Sequence, residues 1–152
     1  MYRVAIIGQS LGAQVAALAC KASGFQDIGR FYGEQNHDLL PTIHSLGANA
    51  SRLLRALAPE ALEQAGFQPD RYQVRFAKSA YLLAELPLGE FYQQRYGAPL
   101  INFAAPALAA YLEEQLGMPI AAATALNDIE SNHDLTVLTK PESPPTQQHE
   151  DA

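Results

Sequence analysis

The chain has 152 residues, 48% of them hydrophobic and 17% charged, which is the length and apolar content of one compact domain with its own core. A formal net charge of -6 offers no positive field to phosphate backbones or anionic lipid, which argues against nucleic acid and membrane surfaces as partners. Cys20 has no second cysteine to pair with, the first residues lack a signal-peptide pattern, and no apolar run reaches the ~20 residues that cross a bilayer, so a cytoplasmic protein is expected.

Arg3 to Ile7 (RVAII) is a short β-branched run almost free of polar residues, the pattern of a strand buried on both faces of a parallel sheet. Gly8 ends it, and Leu11, Val15, Leu18 and Ala19 then recur at helical spacing until Gly24. Asp27 to Tyr32 reads as a second strand, completing a βαβ-like unit, and a polar loop follows through Gly33, Glu34, Asn36, His37 and Asp38. Ala48 to Ala58 predicts a helix with Leu53, Leu54 and Leu57 on one side, and Pro59 opens a shorter helix that Gly66 closes. Tyr72 to Phe76 and Tyr81 to Leu86 each alternate across a Ser79-Ala80 junction, which predicts an antiparallel pair. Pro106 marks a helix start, and Leu108, Tyr111, Leu112 and Leu116 make one apolar stripe before Gly117, as a crossover helix would. Two last strands are expected near Ile120 to Thr124 and Leu135 to Thr139, flanking the turn-forming Ser131-Asn132-His133-Asp134. The whole is a mixed α/β, Rossmann-like domain over residues 1–140. The polar tail, residues 141–152, has no periodic apolar residue and is expected to be disordered.

A strand running straight into Gly8-Gln9-Ser10-Leu11-Gly12-Ala13 and then a helix is the setting in which a dinucleotide fingerprint has meaning. The first glycine makes the turn, the second lets backbone approach a pyrophosphate, and the third lets helix and strand pack closely. Gly8 keeps the first place, Ser10 adds a Cβ and a hydroxyl at the second, Ala13 is a mild change at the third, and Gly12 is an additional glycine. The helix N-terminus from Leu11 onward still offers N–H groups and a positive dipole end to an anion. Gly8 and Gly12 equally suit any tight strand-to-helix turn, so the motif alone leaves both readings open. The acid that would hold the ribose, roughly 20 residues on at the end of the next strand, is replaced by Tyr32, with Glu34 two residues too late.

Taken together, RVAIIGQSLGAQVAALACKASGF, HSLGANASRLLRAL, LLAELPLGE and RYGAPLINFAAPALAAYLEEQLG resemble the amino-terminal half of class A flavoprotein monooxygenases, the para-hydroxybenzoate hydroxylase-like family. The most specific piece is Pro87-Leu88-Gly89-Glu90 followed by Arg95-Tyr96-Gly97-Ala98-Pro99 and the helix after it. The resemblance implies a glutathione-reductase-type FAD domain, NAD(P)H as reductant, O2 as oxidant and an aromatic or polyketide-like substrate. It also implies an arginine near the start of the later helix, in contact with the cofactor, where this chain has Ala105. With Ser10, Tyr32 and Ala105 at those three places, FAD is at most a weak ligand. The family's substrate sheet and its ribityl-binding Gly-Asp motif lie beyond the matched segments, so hydroxylation by this chain alone is not expected.

The resulting expectation is a degenerate FAD-monooxygenase-like domain, non-catalytic alone, that binds a nucleotide or other small molecule or associates with a partner. The alternatives are the flavin-binding subunit of a two-chain monooxygenase and an inert remnant. The candidate cofactor positions are Gly8, Ser10, Leu11, Gly12, Ala13, Tyr32, Glu34 and Asn49. By analogy with the fold, Arg3 to Ile7 would have an open edge, to be covered by a homodimer, by a second protein subunit or by the Leu135 to Thr139 strand. Of the remaining candidates, Ser45 or Asn49 suits helix capping, Cys20 suits a small core position, and His37, His44, His133 and His149 lack any metal-binding spacing.

Overall fold

Val4, Ala5 and Ile6 are completely or almost completely buried, and that burial puts the RVAII run at the centre of a sheet. The computed structural model describes residues 2–32, 43–122, 129 and 133–138. These residues form two compact units, one drawing on Met1–Asp38 and Met118–Ala152, the other on Leu39–Gly117.

In the first unit, β1 (Arg3–Ile7), α1 (Leu11–Ala22) and β2 (Asp27–Tyr32) form the expected crossover. β2 runs parallel to β1, from Arg3 opposite Asp27 to Ile7 opposite Phe31. β8 (Ala121–Ala122) continues the parallel sheet beside β2 and β9 (Leu135–Leu138) beside β1, giving the order β8-β2-β1-β9. The sequence reading put these last two strands on either side of a turn. They lie at opposite margins of the sheet, β8 parallel to β2 and β9 parallel to β1. Of the three covers considered for β1, the strand beginning at Leu135 occupies that edge.

The buried stripe of α1 is Ala13, Gln14, Ala17 and Leu18 rather than Leu11, Val15, Leu18 and Ala19. Ala13 and Ala17 carry no bulk beyond Cβ, so the side of the helix that they define is the one able to lie close against β1 and β2. Asp134 fixes the entry to β9: its N–H donates to the Arg3 carbonyl at 2.8 Å and its Oδ2 accepts from the Arg3 N–H at 2.7 Å. Arg30 is buried in β2, where Nη1 donates to the Met118 carbonyl at 3.1 Å.

The second unit contains β3 (Ile43–Leu46), α2 (Ala48–Leu57), α3 (Ala61–Ala65) and β4 (Gly66–Phe67). They are followed by β5 (Arg71–Arg75), β6 (Leu82–Pro87), α4 (Glu90–Tyr96), β7 (Ile101–Ala104) and α5 (Ala105–Leu116). β7 lies between β3 and β4, antiparallel to both, and β5 pairs with β6 as a separate antiparallel ribbon. Leu108, Leu112 and Leu116 of α5 are buried as the stripe predicts, together with Ala109, and α5 packs on α3 and β7. On α2 the expected apolar side is only partly correct: Leu54 is buried but Leu53 is exposed, because Ala48, Ser51 and Leu54 define the inward face. Ser51 suits that face because its hydroxyl donates to the Pro99 carbonyl at 2.7 Å. The expected disordered tail at residues 141–152 lies outside the described residues.

Candidate functional site

The sheet order places the carboxyl end of β1 at a topological switch point: the chain leaves β1 toward β2 on one side, and β9 arrives on the other. Open parallel sheets take ligands in the crevice beyond such a point. Gly8 stands there with φ 134°, a backbone conformation that glycine adopts freely and side chains resist. Its N–H donates to the Phe31 carbonyl at 2.8 Å, so the turn is locked to β2 before α1 begins.

Ser10 is the N-cap of α1. Its backbone is extended, its Oγ accepts from the Ala13 N–H at 3.2 Å, and its carbonyl accepts from the Gln14 N–H at 3.2 Å. A side chain that the sequence marks as an obstruction to phosphate is therefore also a cap, and it engages one of the N–H groups that an anion would use. Leu11 and Gly12 occupy the first helical turn, whose N–H groups have no carbonyl within the helix. A Cβ added at Gly12 would stand 3.5 Å from Ser10 Oγ, an ordinary contact, so the turn does not require glycine there.

Tyr32 ends β2 one residue beyond Phe31, which pairs with Ile7, so it lies at the level of Gly8 where a ribose acid is sought. The first unit thus brings Gly8, Ser10, Leu11, Gly12, Ala13 and Tyr32 to one end of one strand pair. Glu34 lies outside the described residues. Asn49 belongs to the second unit, in the first turn of α2, where its Oδ1 accepts from Arg52 Nη2 at 2.7 Å.

The capping expectation for Ser45 and Asn49 fails. Gly47 is the N-cap of α2 without a side-chain hydrogen bond, while the Ser45 hydroxyl donates to Asn102 Oδ1 at 2.7 Å across the β3–β7 pair. His44 stacks on Phe103 with ring centroids 5.8 Å apart. Ala105 is 1% exposed, so the position where the resemblance expects a cofactor arginine is a packed methyl at the start of α5. Cys20 is partly buried, and burial pushes its thiol up from the ordinary cysteine range, away from nucleophilic use. Among the described residues no group of three or more His, Cys, Asp or Glu could hold a metal ion, and no helix is long and apolar enough to cross a membrane.

Sequence reasoning missed Gln14 and Arg30 as buried polar residues next to the glycine turn and within β2. Helical periodicity would have placed Gln14 inward once Ala13, Ala17 and Leu18 were taken as the stripe.

The mixed α/β fold, with its parallel sheet and crossover helix, is similar to that of flavin-dependent monooxygenases of known structure. The curated relative 6-hydroxynicotinate 3-monooxygenase from Pseudomonas fluorescens is 29% identical over 101 residues, which is 66% of this chain and 26% of that protein. The structure of Klebsiella pneumoniae HpxO complexed with FAD and uric acid superposes with a TM-score of 0.68 at 19% identity, over 80% of this chain and 30% of that one. The p-nitrophenol 4-monooxygenase PnpA of Pseudomonas putida DLL-E4 gives 0.59 at 14% identity, over 81% of this chain and 31% of its own. The chain therefore spans about a quarter to a third of the length of these proteins. No family model matches the sequence.

Proposed function

We propose that this chain is a degenerate domain of the class A, para-hydroxybenzoate hydroxylase-like type, which does not hold FAD tightly unaided and acts as a binding or partner-associated domain. The observation that carries this reading is the Ser10 hydroxyl bonded to the Ala13 N–H at the turn where a pyrophosphate would press on bare backbone. Two further features support it: Tyr32 at the level of Gly8 in place of a carboxylate, and Ala105 buried where a guanidinium is expected. A lost charge-assisted contact forfeits roughly 1.5–3 kcal/mol, so a dinucleotide seated at Gly8 without a carboxylate at Tyr32 is held correspondingly more weakly. The residues present do not fit FAD as an unaided, tightly held group, so no hydroxylation step is assigned to them.

The turn at Gly8, Ser10, Leu11, Gly12 and Ala13 suits a smaller anion-bearing ligand such as an adenine nucleotide, and a cytoplasmic setting suits the lone Cys20. The test is calorimetric titration of the purified chain with FAD and with ADP, together with a visible absorbance spectrum. A colourless protein with FAD affinity weaker than micromolar is expected. A yellow protein with stoichiometric flavin, or substrate-stimulated reduction of FAD by NADPH under anaerobic conditions, refutes the reading. The retained Gly8 geometry favours one alternative, the flavin-binding subunit of a two-chain monooxygenase, and stoichiometric flavin would point there.

A further inference from the structure

The ribbon of β5 and β6 has two chemically distinct faces. Its register sets Tyr72 opposite Leu86 and Val74 opposite Ala84, and beyond a bulge the Phe76 N–H donates to the Tyr81 carbonyl at 2.8 Å. Alternation therefore gathers Tyr72, Val74, Phe76, Tyr81, Ala84 and Leu86 on one face, without a single formal charge. Its large members are each between 40% and 70% exposed. The opposite face holds Arg71, Gln73, Arg75 and Glu85, which bond among themselves, together with Pro87 opposite Arg71 and Leu82 opposite Arg75. Arg71 pairs with Glu85 at 3.7 Å, Gln73 bonds Glu85, and Arg75 donates to Gln73 Oε1 at 3.1 and 3.0 Å.

A two-stranded ribbon with an exposed apolar face is marginal in water until that face packs against something. With aromatic side chains of about 200 Å² each, the exposed fractions amount to roughly 500 Å² of apolar area, at the upper end of what a single patch on a monomer displays. That is more than half of the ~800 Å² that each partner contributes to a standard interface.

We propose that this face is a dimer interface, and that its occupant is the same face of a second copy of the chain. This rests on the partner-associated part of the function proposed above and names the partner. The face is self-complementary, with aliphatic groups at its centre and a phenol toward each end, so a two-fold axis through Val74 and Ala84 brings like against like without burying an unpaired charge. The charged network lies on the opposite face, so the seam itself brings no formal charge together. Two ribbons stacked in this way form a small two-layer sandwich, the ordinary means of drying a one-faced sheet.

Sedimentation equilibrium of the full chain at tens of micromolar is expected to give twice the 16.5 kDa chain mass. Val74→Asp and Tyr81→Glu should each weaken association by roughly 30-fold or more, as central interface residues do, with circular dichroism unchanged because both side chains are exposed. In a Cys20→Ser background, Ala84→Cys should form an intermolecular disulfide on oxidation, whereas Gln73→Cys on the charged face should not. A wild-type mass of 16.5 kDa at these concentrations overturns the proposal. So does a dimer indifferent to both charge substitutions, or equal crosslinking through the two faces. FAD titration of the charge variants separates the two proposals, since the ribbon contributes none of the candidate nucleotide-binding residues.

Discussion

At Ser10 one hydroxyl does structural service while obstructing a ligand, and the two roles can be separated by substitution. Ser10→Ala removes the bond to the Ala13 N–H and should cost about 1 kcal/mol of stability in urea denaturation, whereas Ser10→Gly should cost only a few tenths. Ser10→Gly also restores bare backbone at the second place of the fingerprint. Combined with Tyr32→Glu it should raise FAD affinity by at least tenfold in calorimetry, in keeping with one regained contact to a charged group. If the double variant binds FAD no better than the parent, the cause of weak binding lies elsewhere. Cys20 supplies a second check. Burial raises its thiol, so the folded chain should react with a thiol reagent more slowly than the urea-unfolded chain at the same pH. By linkage, that raised value supports the native state below the unfolded thiol's value and withdraws support as pH climbs toward the folded one.

Among the elements, the strand and helix runs around the glycine turn were legible because β1 is apolar on both faces and α1 starts at once. The ribbon was legible because its strands alternate, and α5 because Pro106 and Gly117 bracket its stripe. β3 and β7 went unread: each is only four residues long, and their pairing joins Ile43 to Ala104 across most of the second unit, where local pattern carries no signal. Strands were expected near Ile120 to Thr124 and Leu135 to Thr139 and are found at Ala121–Ala122 and Leu135–Leu138, but local pattern did not say which strand each pairs with. Two substitutions probe this level. Gly66→Ala puts a Cβ 2.6 Å from Ile101 Cγ2 and 3.1 Å from the Leu62 carbonyl oxygen, and should cost about 1–3 kcal/mol by crowding β4 against β7. Asp134→Ala removes the side-chain acceptor for the Arg3 N–H and should cost about 1 kcal/mol, while Asp134→Asn, which keeps an acceptor oxygen, should cost less.

For the whole molecule, composition bounded size and charge, while class and site came from the order of elements and motifs. The α/β class followed from the order of elements, and the parallel sheet with its switch point agrees with it. Of the eight candidate positions, six come together at the end of β1, because a strand, a turn and a helix contiguous in sequence must be contiguous in space. Asn49 belongs to the other unit, and only the resemblance had associated it with the turn. The net charge of -6 leads to a further expectation: no shift of duplex DNA in a gel assay at physiological salt.

The clasp between Arg3 and Asp134 joins positions 131 residues apart. During translation the first strand leaves the ribosome long before its neighbour on that side has been made, and at roughly 5–20 residues per second the wait lasts on the order of ten seconds. Until then the ladder between β1 and β9 cannot form, so slowing synthesis is expected to lower the soluble yield, which a comparison of expression rates checks.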